Sequence, residues 1–233
     1  MTHCFSRRSF LKGSAAAAAV LSSPLLPADA AFSETENGLF SPVSALCQTQ
    51  YGPVKGREGE NGLLCWYGIP YGAAPTGESR WTAPQEPACW HTVRDCTSPA
   101  PAAYQYTTFP LGTEDCLTLD IYSSAEAKKR PVLVYLHGSA ATGSSLELPG
   151  CELVRDAGCV FVALNYRLGL FGWNCLPALT ADPDSTGNFA LLDIARALDW
   201  VRDNIRRFGG DADNITLCVF SDGGRMAAAL AGS

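Results

Sequence analysis

The stretch ITLCVFSDGGRM, residues 215–226, places a serine between an apolar run and a glycine pair. The run before the serine predicts a buried strand, and GGRMAAALAG at 223–232 predicts a helix. A serine on a sharp turn from strand to helix is the nucleophile elbow, usually written G-x-S-x-G. Gly223 keeps the second glycine of that pattern, and Val219 replaces the first. Ser221 is therefore a candidate nucleophile; the plainer alternative is a serine that caps the helix.

Strands and helices alternate upstream of this stretch. PVLVYLHG at 131–138 and CVFVALNYRLG at 159–169 are nearly continuous apolar runs, which are typical of strands buried on both faces. A loop over 138–150 and a short helix around CELVRDAG at 151–158 separate them. The next segment, 187–210, carries an apolar stripe at helical spacing, formed by Leu191, Ile194, Ala195, Leu198, Val201 and Ile205. This order predicts an α/β fold, a mostly parallel sheet with flanking helices.

The first 30 residues have the features of an export signal rather than of a folded domain. Arg7 and Arg8 precede an alanine-rich apolar run that ends in Ala28-Asp29-Ala30, an A-x-A cleavage pattern. The paired arginines resemble the bacterial twin-arginine signal, which predicts a periplasmic or extracellular protein. The alternative, an uncut membrane anchor, needs a longer apolar run. We therefore expect a signal at 1–30 and one domain at 31–233.

The charge of the chain bears on its partners. The net charge is −6, and removing the signal makes the remainder more acidic, because the signal carries more basic than acidic residues. An acidic chain without a basic stripe is a poor ligand for nucleic acid and for anionic membranes. No segment after the signal is long and apolar enough to span a bilayer. We expect no cofactor, and the sequence leaves the oligomeric state open.

Cysteines are numerous, with ten in the chain. No C-x-x-C pair occurs and histidines are few, so we expect no metal site. Cys65 and Cys218 lie in apolar runs, where a small buried side chain is the plainer interpretation. Cys89, Cys96 and Cys116 lie near strand or turn ends, which makes them the better disulfide candidates. The candidate pair is Cys96 with Cys116.

Several blocks together resemble one family. They are GIPYGAAPTGESRWTAPQEPACW at 68–90, EDCLTLDIY at 114–122, NYRLGLFGW at 165–173 and the long segment from 187 that leads to the serine. In this order and spacing they resemble type B carboxylesterases, the group that includes cholinesterases and bacterial p-nitrobenzyl esterases. The resemblance covers essentially all of residues 50–233 and implies an α/β-hydrolase fold, of which this chain is the N-terminal portion only.

The resemblance also implies the parts of an ester-hydrolysing site. It places the nucleophile at Ser221 and the oxyanion donors at the backbone N–H groups of Ser139, Ala140 and Asp222. The family pattern H-G-G-G or H-G-G-A is His137-Gly138-Ser139-Ala140 here, so Ser139 stands where a glycine is usual. Asp222 replaces the alanine of the family, and its carboxylate would oppose an oxyanion that it faced.

The same resemblance places the catalytic acid and histidine after the serine, and only twelve residues follow Ser221 in this sequence. His91 and His137 precede it; His137 matches the structural histidine of the oxyanion loop. The interpretation is a secreted serine carboxylic ester hydrolase for a small-molecule ester, shortened, with impaired or no activity in these residues. The alternatives are a non-catalytic esterase-like binding module and a decayed gene product.

Overall fold

The structure, a computed structural model, describes residues 43–176 and 187–232. The expected signal at 1–30 lies outside these residues. The strands are β1 Leu46–Gln48, β2 Pro53–Lys55, β3 Arg57–Glu58, β4 Leu63–Pro70, β5 Arg94–Asp95, β6 Gln105–Tyr106, β7 Pro110–Leu111, β8 Thr118–Ser124, β9 Arg130–Leu136, β10 Val160–Leu164 and β11 Gly210–Val219. The helices are α1 Cys151–Ala157, α2 Gly169–Gly172, α3 Phe189–Asn204 and α4 Asp222–Ala231.

The central sheet has the strand order β11-β9-β10-β8-β4-β3. Smaller sheets, in the orders β1-β2-β5 and β6-β7, accompany it in the described part of the chain. Every residue of β10 is buried, as expected for a strand that is covered on both faces. Helix α3 buries an apolar stripe that includes Ile194, Leu198 and Val201, and Gly209 ends the following turn in the left-handed region at φ 84°.

The expectation of a mostly parallel sheet needs correction. The pairs β9–β10 and β9–β11 are parallel, whereas β8–β10, β4–β8 and β3–β4 are antiparallel. Parallel neighbours need a long crossover, and the crossovers through α1 and α3 supply it only for the later strands. The earlier strands are joined without such helices, so this half of the sheet is antiparallel.

Strand β11 also differs from the expectation of a buried strand. Among the described strands it pairs with β9 alone, so it forms an edge of the sheet that the described residues build. Its apolar residues Ile215 and Leu217 are only partly buried, and Val219 is 40% exposed. An apolar run therefore identified a strand here but not its degree of burial, because burial depends on the neighbours of the strand.

Candidate active site

Ser221 lies at the tip of the predicted turn. Strand β11 ends at Val219, which is paired with Leu136 of β9, and α4 begins at Asp222. Ser221 has φ 50° and ψ −118°, a conformation that L-residues rarely adopt. Strain of this kind persists only where the surrounding structure enforces it. The side chain is exposed, so the turn presents the hydroxyl to solvent as a nucleophile elbow requires.

Close packing behind the serine enforces this turn. A Cβ atom at Gly223 would lie 2.8 Å from the carbonyl oxygen of Leu136 and 3.2 Å from that of His137. The helix thus starts directly against the end of β9, and only glycine fits there. Val219 is not among the three nearest neighbours of a Cβ atom at Gly223, and its Cγ2 atom is 3.9 Å from the position of a Cβ atom at Gly224. The side chain that replaces the first elbow glycine therefore lies outside the closest packing of the turn.

The structure brings the oxyanion loop to the serine. A Cβ atom at Gly138 would lie 3.0 Å from the Cβ atom of Ser221 and 2.8 Å from Cδ1 of Phe220. Ser139 and Ala140 follow Gly138 directly, so the predicted donors and the predicted nucleophile belong to one location. Within the described part of the chain, no hydrogen bond has the backbone N–H of Ser139, Ala140 or Asp222 as its donor.

Ser139 adopts the conformation that a glycine would adopt more easily. Its φ is 64°, in the left-handed region that disfavours a side chain. Its hydroxyl oxygen accepts hydrogen bonds from the backbone N–H groups of Ala141 and Thr142, each at 3.2 Å. These local bonds offset part of the cost of the conformation. The glycine-poor loop therefore keeps its shape by side-chain capping instead of by backbone freedom.

His137 supports the loop from inside the protein. Its ring is buried and stacks on Tyr166 with 4.4 Å between ring centroids. Its Nδ1 atom lies 2.8 Å from the carbonyl oxygen of Gly138, and the Tyr166 hydroxyl donates to the His137 carbonyl at 2.9 Å. Burial lowers the pKa of His137, so the ring is neutral at pH 7. These contacts fit a structural role and not that of a base for Ser221.

The carboxylate of Asp222 has a partner on its own helix. Its Oδ1 atom lies 3.6 Å from the guanidinium of Arg225, one turn along α4. Arg225 is 89% exposed, so solvent screens this pair and it holds the carboxylate only weakly. The acidic substitution beside the serine is thus partly compensated within the same turn of helix.

A buried polar network that the sequence analysis missed anchors the far end of the oxyanion loop. The Ser145 hydroxyl donates to the Asp120 carboxylate at 2.6 Å, and the Ser145 N–H donates to the Asn165 side chain at 2.9 Å. Asp120 also accepts from the N–H of Gly68 at 2.8 Å. Burial raises the pKa of Asp120. An acidic residue inside the apolar run LTLDIY was the sequence signal for this network.

A second buried pair joins the chain after β10 to helix α3. Arg167 donates to both carboxylate oxygens of Asp193, at 2.8 and 2.6 Å, and its backbone N–H also donates to this group. Neither side chain is more than 2% exposed. A charged residue in each of two otherwise apolar segments, ALNYRLG and FALLDIA, was the available signal.

The structure contains no bridge between Cys96 and Cys116. Both are free thiols, as are the other seven cysteines of the described residues. The two lie in different surroundings, with Cys116 beside Arg167 and Asp193 and Cys96 beside Arg94 and Asp95. Burial raises the pKa of Cys96 to about 12, so this thiol behaves as a small apolar side chain.

Comparison with known proteins agrees with this geometry. Residues 43–233 match the Carboxylesterase family, and residues 4–23 match the TAT (twin-arginine translocation) pathway signal sequence. A para-nitrobenzyl esterase of Bacillus subtilis is 41% identical over 194 residues, which cover 78% of this chain and 39% of that protein. A fumonisin B1 esterase of Sphingopyxis macrogoltabida is 36% identical over 182 residues, 72% of this chain and 33% of that protein.

Solved structures show the same relationship. A thermophilic PNB esterase superposes with a TM-score of 0.73 at 39% identity, over 79% of this chain and 40% of that one. A carboxylesterase of Geobacillus stearothermophilus gives a TM-score of 0.72 at 38% identity, over 78% and 39%. The chain thus has the fold of the N-terminal part of these esterases, and it spans about two fifths of their length.

Proposed function

The chain belongs to the carboxylesterase family and carries a twin-arginine signal sequence, and from this premise we propose that Ser221 is the nucleophile of an exported carboxylic ester hydrolase. The backbone N–H groups of Ser139, Ala140 and Asp222 are the oxyanion donors. The substrate is a small-molecule ester, and the site of action is the periplasm or the exterior of the cell. We propose a signal at 1–30 and an esterase domain at 31–233.

One observation carries this proposal. Ser221 holds φ 50° on the turn between β11 and α4, and the loop with the proposed donors packs against its Cβ atom. A serine that merely capped the helix would not need a strained backbone or an adjacent loop with free N–H groups. Acyl transfer needs both, since the hydroxyl attacks the ester carbonyl and the N–H groups stabilise the resulting oxyanion.

Neither His91 nor His137 is placed to act as a general base for Ser221. His91 is exposed, and the ring of His137 is engaged with Gly138 and Tyr166. Loss of a triad base costs on the order of 10⁶ in turnover. We therefore expect only trace hydrolysis of p-nitrophenyl esters by the purified chain of 233 residues. Fast turnover that Ser221→Ala abolishes would contradict this assignment of the histidines.

A chimaera tests the nucleophile itself. The part of the Bacillus subtilis para-nitrobenzyl esterase that lies beyond the matched region is fused after the α4 helix, so that it supplies the segment after the serine. We expect ester hydrolysis by the chimaera and a loss on the order of 10⁶ with Ser221→Ala. The matched control is Ser98→Ala, because Ser98 is exposed and lies outside the loop over 138–150 and the turn at Ser221. A folded chimaera with activity indifferent to Ser221→Ala would disprove the proposal.

A further inference from the structure

A groove lies at the opposite end of the sheet from the elbow, near the amino-terminal ends of the parallel strands. Ser221 follows the carboxyl end of β11, whereas the groove is lined by Arg130 at the start of β9 and by Cys159 just before β10. Its volume is about 470 Å³, and Cys151, the first residue of α1, also lines it. The groove therefore gives a small solute access to a cysteine that lies away from the proposed catalytic site.

A second thiol lies behind Cys151. Cys65 of β4 is 2% exposed and belongs to a core cluster with Tyr122, Val154 and Phe161. Cys151 packs against that cluster, helix α1 contacts β4, and the Cys151 thiol is close enough to Cys65 to raise the pKa of the Cys65 thiol. Close packing holds the start of α1 in this position, since a Cβ atom at the preceding Gly150 would lie 2.3 Å from the Phe161 ring.

The two thiols differ in their access to solvent. Cys151 is half-buried and lines the groove, whereas Cys65 is buried and does not line it. Cys159 also lines the groove but is buried, at 4% exposure, so Cys151 is the more accessible thiol for a reagent there, and Cys65 lies behind it. This arrangement of one accessible and one resolving thiol is typical of cysteine pairs that close to a disulfide.

We propose that Cys65 and Cys151 are a redox pair that closes to a disulfide by exchange with a low-molecular-weight disulfide such as oxidised glutathione. The Cys151 thiolate attacks one sulfur of glutathione disulfide, forms a mixed disulfide and releases one glutathione thiolate. The Cys65 thiolate then attacks the Cys151 sulfur and releases the second glutathione. Two protein thiols are oxidised, one glutathione disulfide is reduced to two glutathiones, and the two thiol protons pass to them.

The second step requires the Cys65 thiolate. Burial raises the pKa of Cys65 to about 11, the Cys151 thiol also raises it, and Tyr67 and Arg57 lower it in part. Tyr122 and Arg155 are also close enough to interact electrostatically with this pair, Tyr122 with both thiols and Arg155 with Cys151. Since only the thiolate attacks, the rate of closure rises with pH up to the pKa of Cys65.

The bridge joins two parts of the fold that bear on the proposed oxyanion loop. The loop over 138–150 leads directly into Cys151, and Cys65 lies in β4, which is separated from β10 by β8. The disulfide therefore ties the end of this loop to β4, a strand that is distant from the loop in the sequence. The disulfide does not depend on ester hydrolysis, so its test and the test of the proposed function have separate outcomes.

Peptide mapping of the full chain tests the pair. The reduced protein is incubated with oxidised glutathione, blocked with an alkylating agent and digested for mass spectrometry. We expect the Cys65 peptide to be linked to the Cys151 peptide, with a mass lower by two hydrogen atoms than that of the two free peptides. Exposed Cys89 and Cys175 carry glutathione and serve as internal controls. An alkylated Cys65 after complete oxidation, or a Cys151–Cys159 link, would overturn the proposal.

Two variants separate the steps. Cys65→Ala is expected to trap glutathione on Cys151, and Cys151→Ala is expected to leave Cys65 alkylated; Cys175→Ala changes neither. Oxidised wild-type protein is expected to unfold about 5–10 °C higher than reduced protein, and reduction abolishes the difference. An equal shift in Cys151→Ala would show that another bridge causes it and would count against the pair.

Discussion

The centre of the sheet and its β11 edge are built in opposite ways. In the centre, every residue of β10 is buried, and the charged side chains beside it, Arg167 and Asp193, satisfy each other. At the edge, β11 has partly exposed apolar residues, Phe220 is 62% exposed, and Ser221 holds a strained backbone. The centre supplies stability, and the edge carries the proposed chemistry on a turn that the centre forces into shape.

The largest loss of stability is expected from a substitution in the centre of the sheet. Asp193→Ala leaves the Arg167 guanidinium buried without a counter-charge, and we expect the free energy of unfolding to fall by about 3–5 kcal/mol. Urea denaturation measures the loss. The matched control is Asp156→Ala, because its pair with Arg155 is more than 60% exposed on both sides and is not expected to move the midpoint. Equal effects of the two substitutions would remove the contrast between centre and surface.

An intermediate effect is expected at the elbow, where two adjacent glycines differ. Gly223→Ala places a methyl group 2.8 Å from a backbone oxygen of β9, and we expect a loss of about 1–3 kcal/mol from overpacking. Gly224→Ala meets nothing closer than 3.9 Å, and we expect a gain of about 0.5–1 kcal/mol from helix propensity. Thermal unfolding of the two variants checks the signs. A stabilising Gly223→Ala would mean that the edge is not held against β9.

The smallest effect is expected within the centre of the sheet, at Asp120 of β8. Burial raises the pKa of this carboxyl in the folded protein, so the folded state binds its proton more tightly than the unfolded state does. Stability from this group is therefore present at low pH and is lost as the pH rises from about 4 through the raised pKa. Asp120→Asn removes that loss, and we expect a gain on the order of 1 kcal/mol at pH 7.

Urea denaturation at pH 4 and pH 7 checks this expectation. The gain from Asp120→Asn is expected to be larger at pH 7 than at pH 4, because burial raises the pKa of Asp120 and so favours its protonated form as the pH falls. Ser145→Ala is the matched variant, because it removes the hydroxyl that donates to Asp120 and is expected to destabilise at both values. A gain that is independent of pH would show that the charge of Asp120 is not its cause.

Similarity to known esterases predicted where the proposed site lies, but not how its backbone is held. The blocks around Ser221 and His137 predicted an elbow beside an oxyanion loop, and Gly138 and Ser221 are close neighbours in the structure. The sequence did not indicate that Ser139 would keep the left-handed conformation by accepting hydrogen bonds from its own loop. Nor did it indicate that Arg225 would lie near the Asp222 carboxylate.

The sequence by itself determined the alternation of strands and helices after residue 131 and the strand–serine–helix turn, because apolar periodicity and turn residues act locally along the chain. The family followed from the resemblance of several sequence blocks in order. Only the tertiary structure decided which strands run antiparallel, that β11 pairs with β9 alone among the described strands, that Arg167 faces Asp193 and that Cys151 packs against the cluster that contains Cys65. Each of these depends on which distant segments become neighbours in the sheet. Local patterns carry no record of those neighbours, so burial, charge pairing and thiol contacts could not be predicted from them.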